Sequence, residues 1–477
     1  MSSPQPANRM LIRGLGLIAT ISIVIGNVIG TGVFLKARVM TCNVGTPGKV
    51  IAVWIVAGLL SLAGALTYAE LVVMWPRAGG EYVIMREAYG KMMGFLYGWM
   101  RFFVASAGSL AALSVGFAIF LNVLMGGELD HSFFKFNFLG FHAGFGNLQM
   151  VALAALTIVT LINCAAVSFG GKLATALTAL KVAIILAIAL GAFFFAPGDW
   201  SRLMLTDAGG ACEGVAPAAR FGSAGFAAAM LGALWAYNGW NEMTYVAGEV
   251  SNPQRNIPLS LIGGIAIVCA LYLSVNVSYF YVLTPTEIAN VSAASSVATI
   301  VVSKFLGPVA VSLVAAALLA STVGALHIST MACSRVPYAM ACDGLFIKSL
   351  ARLSPRTHVP VRALVTQAVW AGMLTLSGSY DTLTDYVIFA NWIFFALVTT
   401  TVFIFRRRFP DVKRSYRTWG YPVVPALFLL ISLWLIVNTL VTAPGRSLTG
   451  LGLIALGLPF YFYQSRNEKT RQLNQTL

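Results

Sequence analysis

Gly26-Asn27-Val28-Ile29-Gly30-Thr31-Gly32 and Trp235-Ala236-Tyr237-Asn238-Gly239-Trp240-Asn241 each interrupt an apolar helical run with glycine and amide residues. Backbone N–H and C=O groups freed by a break find no water in hydrocarbon, so such breaks persist only where protein or a wet cavity satisfies them. Two breaks in corresponding positions of two halves are the sequence signature of a secondary transporter with a solute site near the middle of the membrane.

The surrounding composition agrees. The 477 residues are 58% hydrophobic and 10% charged, with a mean hydropathy of +0.82, where a soluble domain carries about 25% charged residues. A polytopic membrane protein is expected. The net charge of +15 sits in short loops between apolar runs, which excludes a separate nucleic-acid-binding face and reads as topology.

A span needs about 20 apolar residues, and twelve candidates fall near 15–36, 50–74, 92–125, 148–168, 173–196, 221–249, 259–283, 309–341, 361–378, 383–405, 421–442 and 448–464. With the amino terminus inside, 21 of the 31 Lys and Arg residues fall in cytoplasmic segments and 8 outside, leaving Arg101 and Lys181 within the membrane. This bias places both termini in the cytoplasm. The first dozen residues are polar and carry no cleavable signal, so the first span is expected to remain as an anchor. The basic runs Arg406-Arg407-Arg408 and Arg335 to Arg362 read as lipid-headgroup anchors.

The breaks lie in spans one and six, so five spans make each unit and two remain. An odd number per unit makes the second enter the membrane from the opposite side, as an inverted repeat. The chain therefore divides into an amino-terminal tail (1–14), a first repeat (15–196), an outside loop (197–220), a second repeat (221–406), the last two spans with their loop (407–464) and a cytoplasmic tail (465–477). The fold class is all-α.

Six cysteines stand at 42, 164, 212, 269, 333 and 342, with no C-x-x-C pair and no histidines at ligand spacing. No metal or cofactor is expected. Cys42 and Cys212 both fall outside, but the sequence does not establish a bond between them.

Near Gly30, Thr31 and Gly32, the half-helix beyond the break offers N–H groups and the positive end of its dipole, and glycine admits an anion close to the backbone. A carboxylate fits there; Gly26 and Gly30 also form a G-x-x-x-G packing face, the competing reading. In span six, Asn238 and Gly239 are expected in left-handed conformations that turn carbonyls into a cavity, where an ammonium would bind. N–H donors at one end and carbonyls at the other match a zwitterionic amino acid, with Trp235 as a lid and its side chain read by spans three, six, eight and ten.

Lys181 lies roughly 12 Å from the cytoplasmic end of span five at about 1.5 Å per residue. A fixed cation near the first break and a snorkelling lysine are the two readings. Glu242 faces the pocket, a proton path or a structural arginine such as Arg101, the last ranked first. Glu70 and Glu249 read as interface residues holding loops, and His327 as hydrogen-bonded packing.

The ordered series Ile29-Gly30-Thr31-Gly32-Val33-Phe34, Tyr68-Ala69-Glu70-Leu71, Gly79-Gly80-Glu81-Tyr82, Ala236-Tyr237-Asn238-Gly239-Trp240-Asn241, Asn252-Pro253, Asn391-Trp392 and Gly420-Tyr421-Pro422 covers nearly the whole chain. It resembles the amino acid, polyamine and organocation (APC) superfamily, and within it the L-type amino acid transporter light chains and their bacterial relatives. The resemblance implies the inverted-repeat fold of the leucine transporter type. It implies a substrate carboxylate at Thr31 and Gly32, an ammonium at carbonyls near Trp235, Ala236 and Asn238, and Trp235 as the gating aromatic. Lys181 matches the lysine that replaces a sodium ion in sodium-independent members. Ser321, Gly324 and Asn391 would border the side-chain pocket.

Asn238 stands where many such members carry a second glycine, and Glu242 where a neutral residue is common. Animal light chains use a cysteine between spans three and four to bind a heavy subunit, and residues 126–147 contain none; no disulfide-linked partner is expected. The resulting expectation is sodium-independent exchange of small neutral L-amino acids by alternating access in the plasma membrane, the bacterial inner membrane. A proton-coupled carrier of cationic amino acids or polyamines using Glu242, and a non-transporting amino acid sensor, stay open. An intramembrane enzyme is not expected, because no His, Asp or Ser-Lys cluster shares a depth, and no repeated pore loop favours a channel.

Overall fold

The first apolar helix, α1 (Leu17–Val28), stops where the glycines begin, and the chain resumes as α2 (Gly32–Val44). Between them Ile29 leaves the helical conformation at φ −73° and ψ 85°. The computed structural model describes residues 11–464 apart from 139–140, 166, 207–208, 293–294, 377–379 and 443. The expected carboxy-terminal tail and residues 1–10 lie outside the described residues.

Helices α3 (Pro47–Met74), α4 (Lys91–Leu124), α5 (Asn147–Asn163) and α6 (Val167–Phe195) follow. Between α4 and α5 an antiparallel hairpin, β1 (Ser132–Phe138) with β2 (Phe141–Gly146), occupies what the sequence reads only as a loop. After α7 (Gly222–Ala236) the chain turns through Gly239, at φ 100°, into a 3-10 segment, Trp240–Glu249. Asn238 does not share the left-handed conformation expected of it, since among these two residues only Gly239 has positive φ. A side chain carries a penalty there that glycine escapes.

The longer helices that follow are α8 (Pro253–Val282), α9 (Val309–Cys333), α10 (Val361–Thr375), α11 (Tyr380–Arg408), α12 (Val423–Thr442) and α13 (Pro444–Ala455). Among the described residues, eight helices are long and apolar enough to cross a bilayer, with α1 and α2 counted together. The other expected spans are represented by shorter helices. One of these, α7, is 15 residues long because the second break cuts it.

Hydrophobicity is arranged for a non-aqueous surround. Along α12, Leu427, Leu430, Leu433, Val437 and Val441 are half or more exposed, as expected for a helix apolar all round that faces lipid. The polar groups point inward: Arg101, Lys181, Asn241 and Glu242 are each at most 2% exposed. Close backbone approach is bought by small residues, as where Gly264 of α8 meets Val24 of α1, a Cβ there lying 2.7 Å from the valine.

Polar ties hold the helix ends. Leu15 N–H donates to the Glu249 carbonyl at 2.9 Å, and Arg335 donates to both Glu249 carboxylate oxygens at 2.8 and 3.2 Å. Glu70 accepts from Arg406 at 3.0 and 2.7 Å and from the Thr418 N–H at 2.7 Å. Both acids hold loops, as read from sequence. At the far end of α2, Cys42 is disulfide-bonded to Cys212 across 170 residues, a bond that sequence reading did not support. The reason is tertiary: Phe221 N–H donates to the Asn43 carbonyl at 2.6 Å and Arg38 to the Glu213 carbonyl at 2.6 Å, drawing the 197–220 loop onto α2.

Candidate substrate-binding site

The two breaks meet. A small cavity, of about 30 Å³, is lined from the first by Gly30, Thr31 and Gly32, and from the second by Trp235, Asn238 and Gly239. Ser109 and Leu113 of α4, Ser329 of α9, and Asn27 and Glu242 complete the wall. The close approach is enforced by glycine: a Cβ on Gly32 would lie 2.6 Å from the Ala236 Cα. On Gly239 it would lie 2.6 Å from the Asn27 Nδ2.

At the start of α2, Gly32 and Val33 precede the first intrahelical bond, which the Phe34 N–H makes to the Thr31 carbonyl at 3.2 Å. Gly30 opens onto the cavity, with Leu113 the nearest neighbour a Cβ would meet, at 3.7 Å. Gly26, by contrast, is pressed against Thr178 and Ile328. The G-x-x-x-G pair therefore divides its work, Gly26 packing helices and Gly30 lining space.

Glu242 is engaged on every side. Oε1 accepts from Arg101 at 3.0 Å, and Oε2 accepts from Asn27 Nδ2 at 2.7 Å and from Ser329 Oγ at 3.0 Å. Arg101 also donates to Asn391 Oδ1 at 2.8 Å, and Asn391 donates to Asn238 Oδ1 at 3.2 Å. One network thus joins α1, α4, α9, α11 and the second break, and the negative charge at the cavity is matched within the protein.

Lys181 of α6 is 1% exposed and does not snorkel. Its Nζ donates to the carbonyls of Gly26 at 2.5 Å and Ile29 at 2.6 Å, the carbonyls freed as α1 ends. Ser321 donates to the same Ile29 carbonyl at 3.4 Å, and Gly324 packs against the Lys181 side chain, its Cβ position 2.8 Å from Cε. Ser321 and Gly324 therefore belong to the lysine and not to the cavity wall, where resemblance had put them. Asn391 is one layer behind the wall, acting through Asn238.

Ala236 also stands back from the wall: its carbonyl accepts from Tyr272 of α8 at 2.9 Å. The same hydroxyl lies 3.0 Å from the Val28 carbonyl, so one side chain bridges the last turns of α1 and α7. Sequence reasoning missed Tyr272, Ser109 and Ser329; a hydroxyl in an apolar helix carries no sign of what it faces. His327 is 1% exposed and paired with Asn163 at 3.1 Å, in keeping with packing.

Interrupted apolar helices that meet around a polar cavity describe a membrane solute carrier. The sequence model of the family described as amino acid permease matches residues 15–461, and the chain belongs to that family. It is 30% identical over 469 residues to the human (Homo sapiens) b(0,+)-type amino acid transporter 1, covering 97% of this chain and 90% of the relative. It is 28% identical over 456 residues to the serine/threonine exchanger SteT of Bacillus subtilis (strain 168), covering 95% and 97%. It is also 28% identical over 460 residues to the human large neutral amino acids transporter small subunit 2, covering 95% and 80%. These matches agree with the family resemblance read from the motifs.

Proposed function

We propose that this permease performs sodium-independent exchange of small neutral L-amino acids by alternating access. The observation that carries the reading is Lys181, whose ammonium is held by the Gly26 and Ile29 carbonyls beside the break. A fixed cation there supplies the charge that a sodium-coupled carrier takes from its ion, so no sodium is needed to hold α1 in place.

The substrate carboxylate binds the N–H groups at Thr31 and Gly32, where the α2 dipole favours an anion. The ammonium binds carbonyls near Trp235, Ala236 and Asn238, of which Trp235 and Asn238 line the cavity and a carbonyl oxygen already bonded, as that of Ala236 is to Tyr272, keeps a second lone pair. Gly30 and Gly239 leave the space, and Trp235, 7% exposed, closes over it. Glu242 serves as the structural partner of Arg101 and not as a counter-charge for a cationic substrate or a proton carrier.

The architecture is twelve spans, as two inverted five-span repeats (15–196 and 221–406) with two spans after them, in the bacterial inner membrane. Both termini are cytoplasmic. The Cys42–Cys212 bond supports this orientation, because disulfides persist on the oxidising side of a membrane and the end of α2 then lies outside. The carrier works without a disulfide-linked heavy subunit; a covalent higher-mass species that collapses on reduction would overturn this. The SteT relative, named an exchanger, supports exchange over one-way transport.

The test is radiolabelled alanine uptake into liposomes holding the purified protein, in sodium-free buffer, with and without internal alanine and with and without a proton gradient. A requirement for internal alanine, indifferent to both gradients, is the expected result. Uptake into empty liposomes that follows the proton gradient would replace exchange with symport and return Glu242 to the coupling role.

A further inference from the structure

Ser109 is a buried hydroxyl on the cavity wall that the protein itself does not use. Ser109 is 5% exposed, lines the cavity, and among the described residues its Oγ has no hydrogen-bond partner. Buried hydroxyls are normally satisfied, and in an apolar helix the usual acceptor is the carbonyl one turn back. Ser114, five residues on, does this, donating to the Leu110 carbonyl at 2.7 Å. Ser61 of α3 does the same with Ala57 at 2.9 Å.

Ser109 departs from this habit for a local reason. The residue four before it, Ala105, lies in a single π-helical turn, Arg101–Ser106, that widens α4. The wider turn moves that carbonyl out of register with a side chain on the following α-helical turn. The same turn sets Arg101 against Glu242, so the feature that builds the ion pair also leaves the Ser109 hydroxyl without its intrahelical acceptor.

Resting on the amino acid carrier reading, we propose that Ser109 is the specificity-determining residue for the substrate side chain, and that the site prefers amino acids with a hydroxyl on the β-carbon. A serine hydroxyl both donates and accepts, so it complements another hydroxyl. Leu113, one turn along the same face, presents methyl groups beside Gly30 and fits the remaining carbon of such a side chain. Two of the other polar groups on the wall are engaged: the Ser329 hydroxyl lies 2.6 Å from Asn27 Oδ1, and both Glu242 oxygens are bonded. A charged substrate side chain would meet an ion pair already balanced, and a large one would meet Trp235.

Threonine and valine are nearly isosteric and differ by the hydroxyl, so their competition isolates this contact. Inhibition of radiolabelled alanine exchange by external serine, threonine, alanine and valine is measured in proteoliposomes. Wild type is expected to bind threonine about tenfold more tightly than valine, the size of one net hydrogen bond in a protected site. In Ser109→Ala, checked for monodispersity by gel filtration, the threonine-to-valine ratio is expected to fall to about one. In Ser109→Thr, which keeps the hydroxyl, threonine stays ahead. Equal competition by threonine and valine in wild type, an experiment needing no variant, overturns the proposal, as does a preference that survives in Ser109→Ala. Absence of alanine exchange under any condition overturns the carrier reading beneath it, a failure recognisable because it precedes any comparison of side chains.

Discussion

Arg101 and Glu242 face each other across 3.0 Å, each 2% exposed, at the point where the second break meets α4. Glu242 simultaneously holds Asn27 of α1 and Ser329 of α9, so this pair is the junction between the two interrupted helices. Removing one member of a buried pair strands the other charge and costs about 3–5 kcal/mol, whereas replacing both with apolar groups is close to neutral. Glu242→Leu and Arg101→Met are each expected to lower stability by about that amount, and the double variant by less than either. Thermal unfolding in detergent for the four proteins of the cycle reads this directly, and additive losses would refute the coupling.

Lys181 is predicted to be essential because two of the carbonyls released at the end of α1 depend on it. A hydrogen bond to a charged group contributes about 1.5–3 kcal/mol, and each 1.4 kcal/mol is about tenfold. Lys181→Met is expected to reduce sodium-free uptake about tenfold or more, measured as initial rate in proteoliposomes. Wild-type rates there would mean the lysine does not position α1.

The glycines of the two breaks are expected to differ in tolerance. At Gly32 and Gly239 a side chain collides with Ala236 and Asn27, and Gly239 has φ 100° in addition. At Gly30 the nearest obstacle is 3.7 Å away. Gly32→Val and Gly239→Val are predicted to abolish exchange, while Gly30→Ala retains a measurable fraction. Transport by either valine variant, once shown to be folded, would remove these residues from the site.

Tyr272 stitches the two breaks through one hydroxyl shared by Val28 and Ala236. Tyr272→Phe removes that hydroxyl and keeps the ring against Trp54 and Tyr237. A loss of about 1 kcal/mol is expected, read as a fall in melting temperature. A larger fall would mean the ring had also moved.

The Cys42–Cys212 bond closes a 170-residue separation that includes the whole of α3 to α6. Long closed loops place this stabilisation at about 2–5 kcal/mol. Alkylation of the unfolded chain without reductant should leave both cysteines unmodified, and Cys42→Ser should lower the melting temperature. Modification of both without reduction would show the bond absent.

Much of this site was legible in the chain itself. Gly30, Thr31, Gly32 and Gly239 stand out because glycine and amides in an apolar run have no cheap explanation in hydrocarbon. Lys181 and Glu242 stand out because charge there is costly, and Arg101 was named as a partner for Glu242. What could not be read was which wall each hydroxyl faces. Ser321 and Ser109 look alike in sequence; one donates to Ile29 beside Lys181, and the other belongs to the cavity wall with its hydroxyl unpaired.

Sequence alone determined the membrane class, the positions of both breaks and the charged residues that need partners, because each follows from the local cost of polar groups in an apolar run. Tertiary structure decided the rest. The joining of Cys42 to Cys212, the Tyr272 bridge, the transfer of Ser321 and Gly324 from the pocket to the lysine, and the unpaired Ser109 all depend on distances between residues far apart in the chain. Helix packing and a single π turn set those distances, and no periodicity encodes them.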